Sequence, residues 1–256
     1  MKRNTNRRLF LEALEDRCCP SVTARVNGGG TLILQGDSAN LQVTQTAAGT
    51  FDVVDAGASL GSFSGVDSLR LKLRGDNDTI TLDLGGSLGA LERVFIQLGK
   101  GDGRLTVQNG TVNFLKIHGG RGNDTVNLAD TLQVVGRLNV NLFNGDDVLN
   151  LASHVNGRAN IHLGSGDDTF TFSGQIDSDG SGGSAFLVHG GNGADTVTVA
   201  GSAVLNGTGL LHLGNRNDTF VLEARTTPLD LRIFGDGGHD VFQGDPAGLA
   251  TPPVNF

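Results

Sequence analysis

A nine-residue segment at positions 119–127 combines two features that suit the binding of a metal ion. Its sequence is Gly-Gly-Arg-Gly-Asn-Asp-Thr-Val-Asn, so three glycines precede Asp124. Glycines permit turns with positive φ, in which backbone carbonyl and amide groups can point toward an ion. The carboxylate of Asp124 would add a hard oxygen ligand, the kind that Ca²⁺ prefers. Thr-Val-Asn then starts a strand that buries one side chain.

The same pattern returns intact at residues 190–198, and weaker copies surround both segments. The copies can be aligned on their aspartate, which we call the key position. From the first copy to the last, the key position is occupied by Asp78, Gly103, Asp124, Asp147, Asp168, Asp195, Asp218 and Asp240. These positions are 21 to 27 residues apart, which is the range of solenoid repeats. Two copies carry a second carboxylate just before the key position, at Asp146 and Asp167.

Apolar residues recur at fixed distances from the key position. The column seven residues before it contains Leu71, Ile96, Ile117, Val140, Ile161, Val188, Leu211 and Ile233. The columns two and four residues after it are also apolar, except for Gly244 in the last copy, and the columns between them are mostly polar. A period of two on each side of a glycine-rich turn predicts a strand, a turn and a second strand in each copy.

One such unit cannot bury its apolar face alone, whereas stacked units can. The sequence therefore predicts an all-β fold, a parallel β-solenoid of about 22 residues per coil, with two main strands and a short irregular third side in each coil. Residues 25–68 resemble degenerate capping coils, and residues 69–256 form the repeat solenoid in one continuous domain with them. The prolines at positions 246, 252 and 253 end the pattern.

Composition and charge disfavour several classes of partner for this chain. The chain has 40 glycines, no Trp, no Tyr and a formal net charge of −8, which disfavours nucleic acid or an anionic membrane as the main partner. No apolar run is long enough to span a bilayer, so we expect no membrane span. The two cysteines of the chain, Cys18 and Cys19, are adjacent in the sequence. This spacing does not suit an ordinary disulfide between them.

Stacking would line the turn carboxylates along one edge of the solenoid. Two carboxylates about 4.8 Å apart repel each other by roughly 1 kcal/mol in water and by more at a protein surface, so such a row should recruit cations. Oxygen-only ligands favour Ca²⁺ over Zn²⁺. The predicted ligands are Asp78, Asp124, Asp146, Asp147, Asp167, Asp168, Asp195, Asp218 and Asp240.

The segments at 119–127 and 190–198 resemble the G-G-x-G-x-D-x-(apolar)-x repeat of RTX (haemolysin-type) calcium-binding proteins. That resemblance implies a β-roll with Ca²⁺ held between stacked turns and bound by the key aspartates. Two departures stand out: the RTX repeat is tandem and gives two binding edges, whereas this chain has one such turn per longer coil. In addition, Gly103 replaces the key aspartate, and Phe143 and Arg216 replace turn glycines.

Residues 1–24 differ from the rest and are predicted to be a leader or sorting segment. Residues 11–20 resemble the LEPR-XLL segment near the start of long repetitive proteins from planctomycete bacteria, which implies export or surface sorting. Together the two resemblances predict a calcium-binding structural or adhesive module of an extracellular or cell-surface protein. Its expected partners are calcium ions and components of the cell envelope or extracellular matrix.

Two alternatives remain open from the residues. Glycine and Asx residues can form such turns without a metal, which would make the chain a metal-independent structural solenoid. A carbohydrate-active enzyme on a β-helix is the other, but the absence of Trp and Tyr and of a recognisable acid/base pair disfavours catalysis, so we expect no enzyme.

Four histidines share one outward column, six residues before the key position, and an ordinary exposed face explains them: His118, His162, His189 and His212.

Overall fold

Two long β-sheets run side by side along the molecule and a short third side closes each coil. The computed structural model describes residues 22–37, 40–75, 77–178 and 184–256. It is a parallel β-solenoid of about 7 turns with roughly 23 residues per turn, which confirms the predicted fold class. The predicted leader segment lies outside the described residues except for Val22, Thr23 and Ala24, and both cysteines lie outside them.

Sheet A contains one strand from each coil, hydrogen-bonded to the strands of the coils before and after it. Its strands, in spatial order, are β1 (Val22–Val26), β2 (Thr31–Gly36), β6 (Ser68–Leu73), β8 (Leu91–Gln97), β10 (Gly110–Gly120), β12 (Leu132–Asn144), β15 (Arg158–Ser165), β18 (Phe186–Asn192), β21 (Gly209–Asn215) and β23 (Leu231–Gly237). All its pairings are parallel except that of β1 with β2.

Sheet B follows sheet A in each coil after a glycine-rich corner. Its strands, from one end to the other, are β24 (Val241–Gly244), β22 (Thr219–Leu222), β19 (Thr196–Val199), β16 (Thr169–Phe172), β13 (Val148–Leu151), β11 (Thr125–Leu128), β9 (Arg104–Gln108), β7 (Thr79–Asp83), β3 (Leu41–Ala47), β4 (Thr50–Asp55) and β5 (Ala58–Phe63). The third side consists of the first residues of β10 and β12, followed by β14 (His154–Val155), β17 (Gln175–Asp177) and β20 (Val204–Asn206).

The strand register reproduces the apolar columns of the sequence. Ile117 pairs with Ile96 on one side and Val140 on the other, and Val126 pairs with Leu105 and Leu149. These side chains point into the solenoid, where at most 1% of each is exposed. Each contributes roughly 1.5–3 kcal/mol of hydrophobic free energy that a single coil could not obtain.

Both ends of the solenoid are covered by atypical elements. At the N-terminal end, β2 and β3 pair in parallel with the first repeat coil, and β1, β4 and β5 add antiparallel strands beyond them. At the C-terminal end, a single 3₁₀ turn (Pro246–Gly248) precedes a tail that forms bridges from Leu249 to Leu229 and from Val254 to Phe234. These elements shield the open strand edges that an uncapped solenoid would expose.

Among the described residues, no helix is long and apolar enough to cross a membrane.

Candidate functional site: the aspartate corner

The corner between sheet A and sheet B carries two parallel rows of Asx side chains. The inner row is the key position itself, and six of its aspartates are buried, with 0–2% of their surface exposed: Asp78, Asp124, Asp147, Asp168, Asp195 and Asp218. Asp240, in the last coil, is half-buried. The outer row is the preceding residue, and there Asp146 and Asp167 are exposed to solvent. The single edge of carboxylates expected from the sequence is therefore divided into an inside and an outside row.

Each inner aspartate from Asp124 to Asp240 accepts a hydrogen bond from the main chain of the coil before it. Asp147 Oδ1 accepts from the Asp124 amide at 2.6 Å, Asp168 Oδ1 from the Asp147 amide at 2.8 Å and Asp195 Oδ1 from the Asp168 amide at 2.9 Å. The ladder continues in the same way to Asp218 and Asp240. These bonds satisfy buried amides at a corner where the sheet pairing is interrupted.

The outer row makes the same kind of bond in the opposite direction. Asp146 Oδ1 accepts from the Asp167 amide in the following coil at 2.8 Å, and Asp167 Oδ1 accepts from the Ala194 amide at 2.8 Å. Asparagine serves as well as aspartate here, because Asn123 Oδ1 accepts from the Asp146 amide at 2.9 Å. The outer ladder thus requires an acceptor oxygen and no charge.

The second oxygen of the inner carboxylates is the unusual feature of the corner. In four successive coils, Oδ2 is buried and has no hydrogen-bond partner among the described residues: Asp147, Asp168, Asp195 and Asp218. Asp124 differs, since its Oδ2 accepts from the Gly120 amide at 2.7 Å. A buried carboxylate oxygen without a partner is costly, and a proton, an ordered water molecule or a cation would offset that cost.

Glycines leave oxygen-lined space next to some of these carboxylates. A Cβ added to Gly119 would lie 2.6 Å from Asp124 Oδ2 and 2.5 Å from the Leu142 carbonyl oxygen. A Cβ added to Gly190 would be 2.5 Å from Asp195 Oδ2 and would also overlap the Leu213 carbonyl oxygen. In the two intact copies of the nonapeptide, the first glycine therefore keeps open a cradle between a carboxylate and a backbone carbonyl.

The inner carboxyls hold protons far more tightly than ordinary aspartates. The pKa of Asp147 is raised to about 8, chiefly by burial and further by nearby carboxylates. The hydrogen bond from the Asp124 amide acts in the opposite direction and lowers it. Burial likewise raises the pKa of Asp195 and Asp218 to about 7 and that of Asp124 and Asp168 to about 6. The inner row is therefore partly protonated near neutral pH unless another positive charge replaces the protons.

The donor set of the corner fits calcium in part. The inner row offers only oxygens, from carboxylates and from glycine-turn carbonyls, and a hard cation such as Ca²⁺ takes such ligands. Within the described residues, no three His, Cys, Asp or Glu side chains converge closely enough to hold a metal ion. Because Ca²⁺ takes six to eight oxygens, backbone carbonyls or water would have to supply most of the ligands of any ion here.

Three corner positions that usually carry glycine have other residues, and all three keep the left-handed backbone. Phe143 has a φ of 75°, Arg216 of 88° and Asp236 of 67°. Most of the equivalent glycines also have positive φ, for example Gly164 at 130° and Gly166 at 135°, although Gly120 and Gly122 do not. The corner conformation is thus imposed by stacking, even where the residue disfavours it.

Replacing Arg216 with glycine is expected to stabilise the solenoid by about 0.5–1 kcal/mol. The change removes a left-handed penalty of roughly 1–2 kcal/mol and adds part of the entropic cost of glycine. Thermal unfolding followed by circular dichroism would measure the gain. Arg121→Gly is the matched control, since it removes the same charge from an exposed position without positive φ. An equal or greater gain in the control would contradict the explanation.

Sequence reasoning did not assign the outer row as a ladder, which is interrupted only at Ala194 among the copies from Asn77 to Asn217. Besides Asp146 and Asp167, four residues of the outer row each accept a hydrogen bond from a backbone amide of the following coil: Asn77, Asp102, Asn123 and Asn217. The recurrence of Asx one residue before the key position was the available signal.

Comparisons with models of known protein families, with curated proteins and with solved structures gave no match.

Proposed function

We propose that this chain is a structural β-solenoid that calcium stabilises at its aspartate corner. The observation that supports the proposal is the run of four buried Oδ2 atoms without a partner, in successive coils of the stack. Their carboxylates repel one another, and a divalent cation would offset that repulsion while linking neighbouring coils. The solenoid itself supplies the regular spacing on which such a row depends.

The inner row would hold the ions. Asp147, Asp168, Asp195 and Asp218 would supply Oδ2, with Asp124 and Asp240 at the ends of the row and glycine-turn carbonyls completing the ligand set. Bound calcium would supply positive charge in place of protons and would couple ion concentration to folding. The outer carboxylates, Asp146 and Asp167, would add a negative field at the entrance, since they face solvent.

Such coupling suits an exported or cell-surface protein, which we propose as the setting. A chain whose corner is loose at low calcium and closes at millimolar calcium would fold after it leaves the cell. In that setting, the solenoid would act as a scaffold or adhesive module toward the cell envelope or extracellular matrix. We propose no catalytic activity for it, because the sequence has no Trp or Tyr and no recognisable acid/base pair.

A metal-independent solenoid is the second candidate, and one observation favours it. Asparagine performs the same bond in the outer row, so the corner ladder does not itself need charge. In this alternative, the inner carboxyls are neutral acids in the folded state, as the direction of their pKa shifts allows.

Calcium titration separates the two candidates. We expect the purified chain at pH 7.5 to take up Ca²⁺ saturably at or below millimolar concentration, as measured by isothermal titration calorimetry. Asp168→Asn with Asp195→Asn should remove part of that uptake, because the change keeps the amide-accepting oxygen and removes two charges. The matched control is Asp130→Asn, at an exposed position outside the corner, and should keep full uptake. Folded protein without saturable uptake would establish the metal-independent candidate.

A further inference from the structure

The outward face of sheet A between β6 and β15 differs in charge from the rest of the chain. The whole sequence has 27 acidic and 19 basic residues, yet six basic side chains project from this one face: Arg70, Lys72, Arg93, Lys116, Arg137 and Arg158. Two acidic residues, Asp67 and Glu92, lie at its edge beside Arg70 and Arg93. In the described part of the chain, Arg93, Lys116 and Arg137 form no ion pair.

Cations and aromatic rings alternate along this face from coil to coil. Phe114 pairs in register with Arg93 on one side and Arg137 on the other. One column over, Phe95 pairs with Arg70 and Lys116, and the Arg70 guanidinium lies 5.5 Å from the Phe95 ring centroid. Since neighbouring parallel strands are about 4.8 Å apart, the two cations that flank the ring in each column lie about 10 Å apart. Beyond Arg137, the next residue of its column is Arg158, which pairs with it directly.

The Phe114 ring is available to a ligand, whereas Phe95 is partly buried and lies under the Arg70 guanidinium. Phe114 is 48% exposed, which is unusual for so large an apolar side chain. A shallow groove of about 270 Å³ runs between the two columns and is lined by Arg93, Phe95, Phe114, Lys116, Arg137 and Asn139. A second groove of about 230 Å³ shares Lys116 and Asn139 with the first and extends along His118, Asn141, Asn160 and His162. Together they form an open track across consecutive coils.

We propose that this face binds an acidic polysaccharide in which carboxylate-bearing sugar rings alternate with neutral ones. Guanidinium groups pair with carboxylates through two parallel hydrogen bonds, and lysine adds point charges. The exposed Phe114 ring provides a flat apolar surface for the face of a sugar ring, and the asparagine and histidine side chains provide donors and acceptors for hydroxyl groups. Within each of the two columns, the face thus offers a pair of cations with one aromatic ring between them, at Arg93 and Arg137 and at Arg70 and Lys116.

Charge spacing favours this ligand over nucleic acid. Duplex DNA carries one negative charge per about 1.7 Å of its axis, and binding it requires a dense array of cations. Here six cations are spread over five coils, the chain is acidic overall, and the exposed outer row at the adjoining corner includes Asp102, Asp146 and Asp167. A polyanion of high charge density would be repelled by that row, whereas a sparsely charged chain can follow the track. The inference is independent of calcium, because the track lies on sheet A.

Binding of hyaluronan oligosaccharides, in which every second ring carries a carboxylate, tests the proposal. We expect saturable binding by isothermal titration calorimetry in buffer in which circular dichroism shows folded protein, with and without calcium. Neutral dextran should bind at least about tenfold more weakly, because it lacks the charges that pair with Arg93 and Arg137. A 20-nucleotide single-stranded DNA should also bind more weakly, and tighter binding of the DNA would overturn the proposal in favour of a nucleic-acid ligand.

Matched variants locate the site. Arg93→Gln with Arg137→Gln should weaken hyaluronan binding about tenfold or more, and Phe114→Ala should weaken it several-fold through loss of ring contact. Arg104→Gln with Arg121→Gln removes two charges from sheet B and the corner, and binding should stay within about twofold. Equal weakening by both double variants, or affinity for hyaluronan no greater than for dextran, would overturn the proposal. Loss of calcium uptake by the inner row would leave it standing.

Discussion

Replacement of Gly193 by alanine is expected to destabilise the solenoid by about 3 kcal/mol or more. Gly193 has a φ of 151°, a conformation that side-chain-bearing residues rarely adopt. An added Cβ would also overlap the carbonyl oxygen of Gly166 in the preceding coil. Backbone strain and overpacking each contribute roughly 1–3 kcal/mol, and the rigid stack leaves little room for relaxation. Gly166 meets the Gly145 carbonyl in the same way, so close backbone contact recurs along the corner.

The control for this prediction is Gly89→Ala. Gly89 also has a positive φ, of 117°, but nothing lies within 4 Å of an added Cβ, so the control reports backbone strain without contact between coils. Urea unfolding of both variants, followed by circular dichroism, gives the difference. If Gly193→Ala costs no more than Gly89→Ala, backbone contact between coils does not specify glycine at the corner.

The apolar columns and their register followed from the sequence because period-two patterning has one physical cause. Ile96, Ile117 and Val140 are aligned in the stack as they are in the repeat alignment, since a shift by one residue would turn each apolar side chain toward solvent. The covering strands were harder to predict. The antiparallel pairing of β4 with β3 and β5 depends on how an end is shielded, and no repeat specifies that arrangement.

The sequence does indicate the burial of the inner aspartates, because each lies an even number of residues before the inward-pointing apolar positions. Asp124 lies two residues before Val126 and four before Leu128, both of which point inward, so Asp124 shares their side of the chain. The prediction placed the turn carboxylates along one edge of the solenoid, because motif reasoning assigns a turn aspartate to an ion before it considers the direction of the side chain. Asp146 and Asp147 show the consequence, since adjacent carboxylates of one turn lie on opposite sides of the corner. The Oδ2 atoms without partners could not be predicted, because they depend on the distance between stacked coils.

In the presence of a chelator, the stability of the chain is expected to fall as pH rises from 5 to 8.5. Burial raises the pKa of the inner carboxyls from 3.8 to about 6 for Asp124 and to about 8 for Asp147, so the folded chain keeps protons that the unfolded chain releases near pH 4. The stabilisation from those protons is complete below the unfolded pKa and is lost as pH rises through the folded values. For Asp124 alone, the shift corresponds to about 3 kcal/mol. Thermal midpoints across this range would measure the decline.

Calcium should reverse that decline at high pH, because the inner carboxylates are then free of protons and available to the ion. At a calcium concentration of about 100 times the dissociation constant, each occupied site would add about 2.7 kcal/mol, so several sites would raise the midpoint at pH 8 by about 10 °C or more.

Asp147→Asn should flatten the pH profile in chelator, since it keeps the bond to the Asp124 amide and removes the carboxyl with the highest pKa. Asp146→Asn, on the solvent side of the same turn, should leave the profile unchanged. A profile that falls equally with and without calcium would mean that protons alone neutralise the inner row, and a flat profile in chelator would mean that its carboxyls are not buried acids in solution.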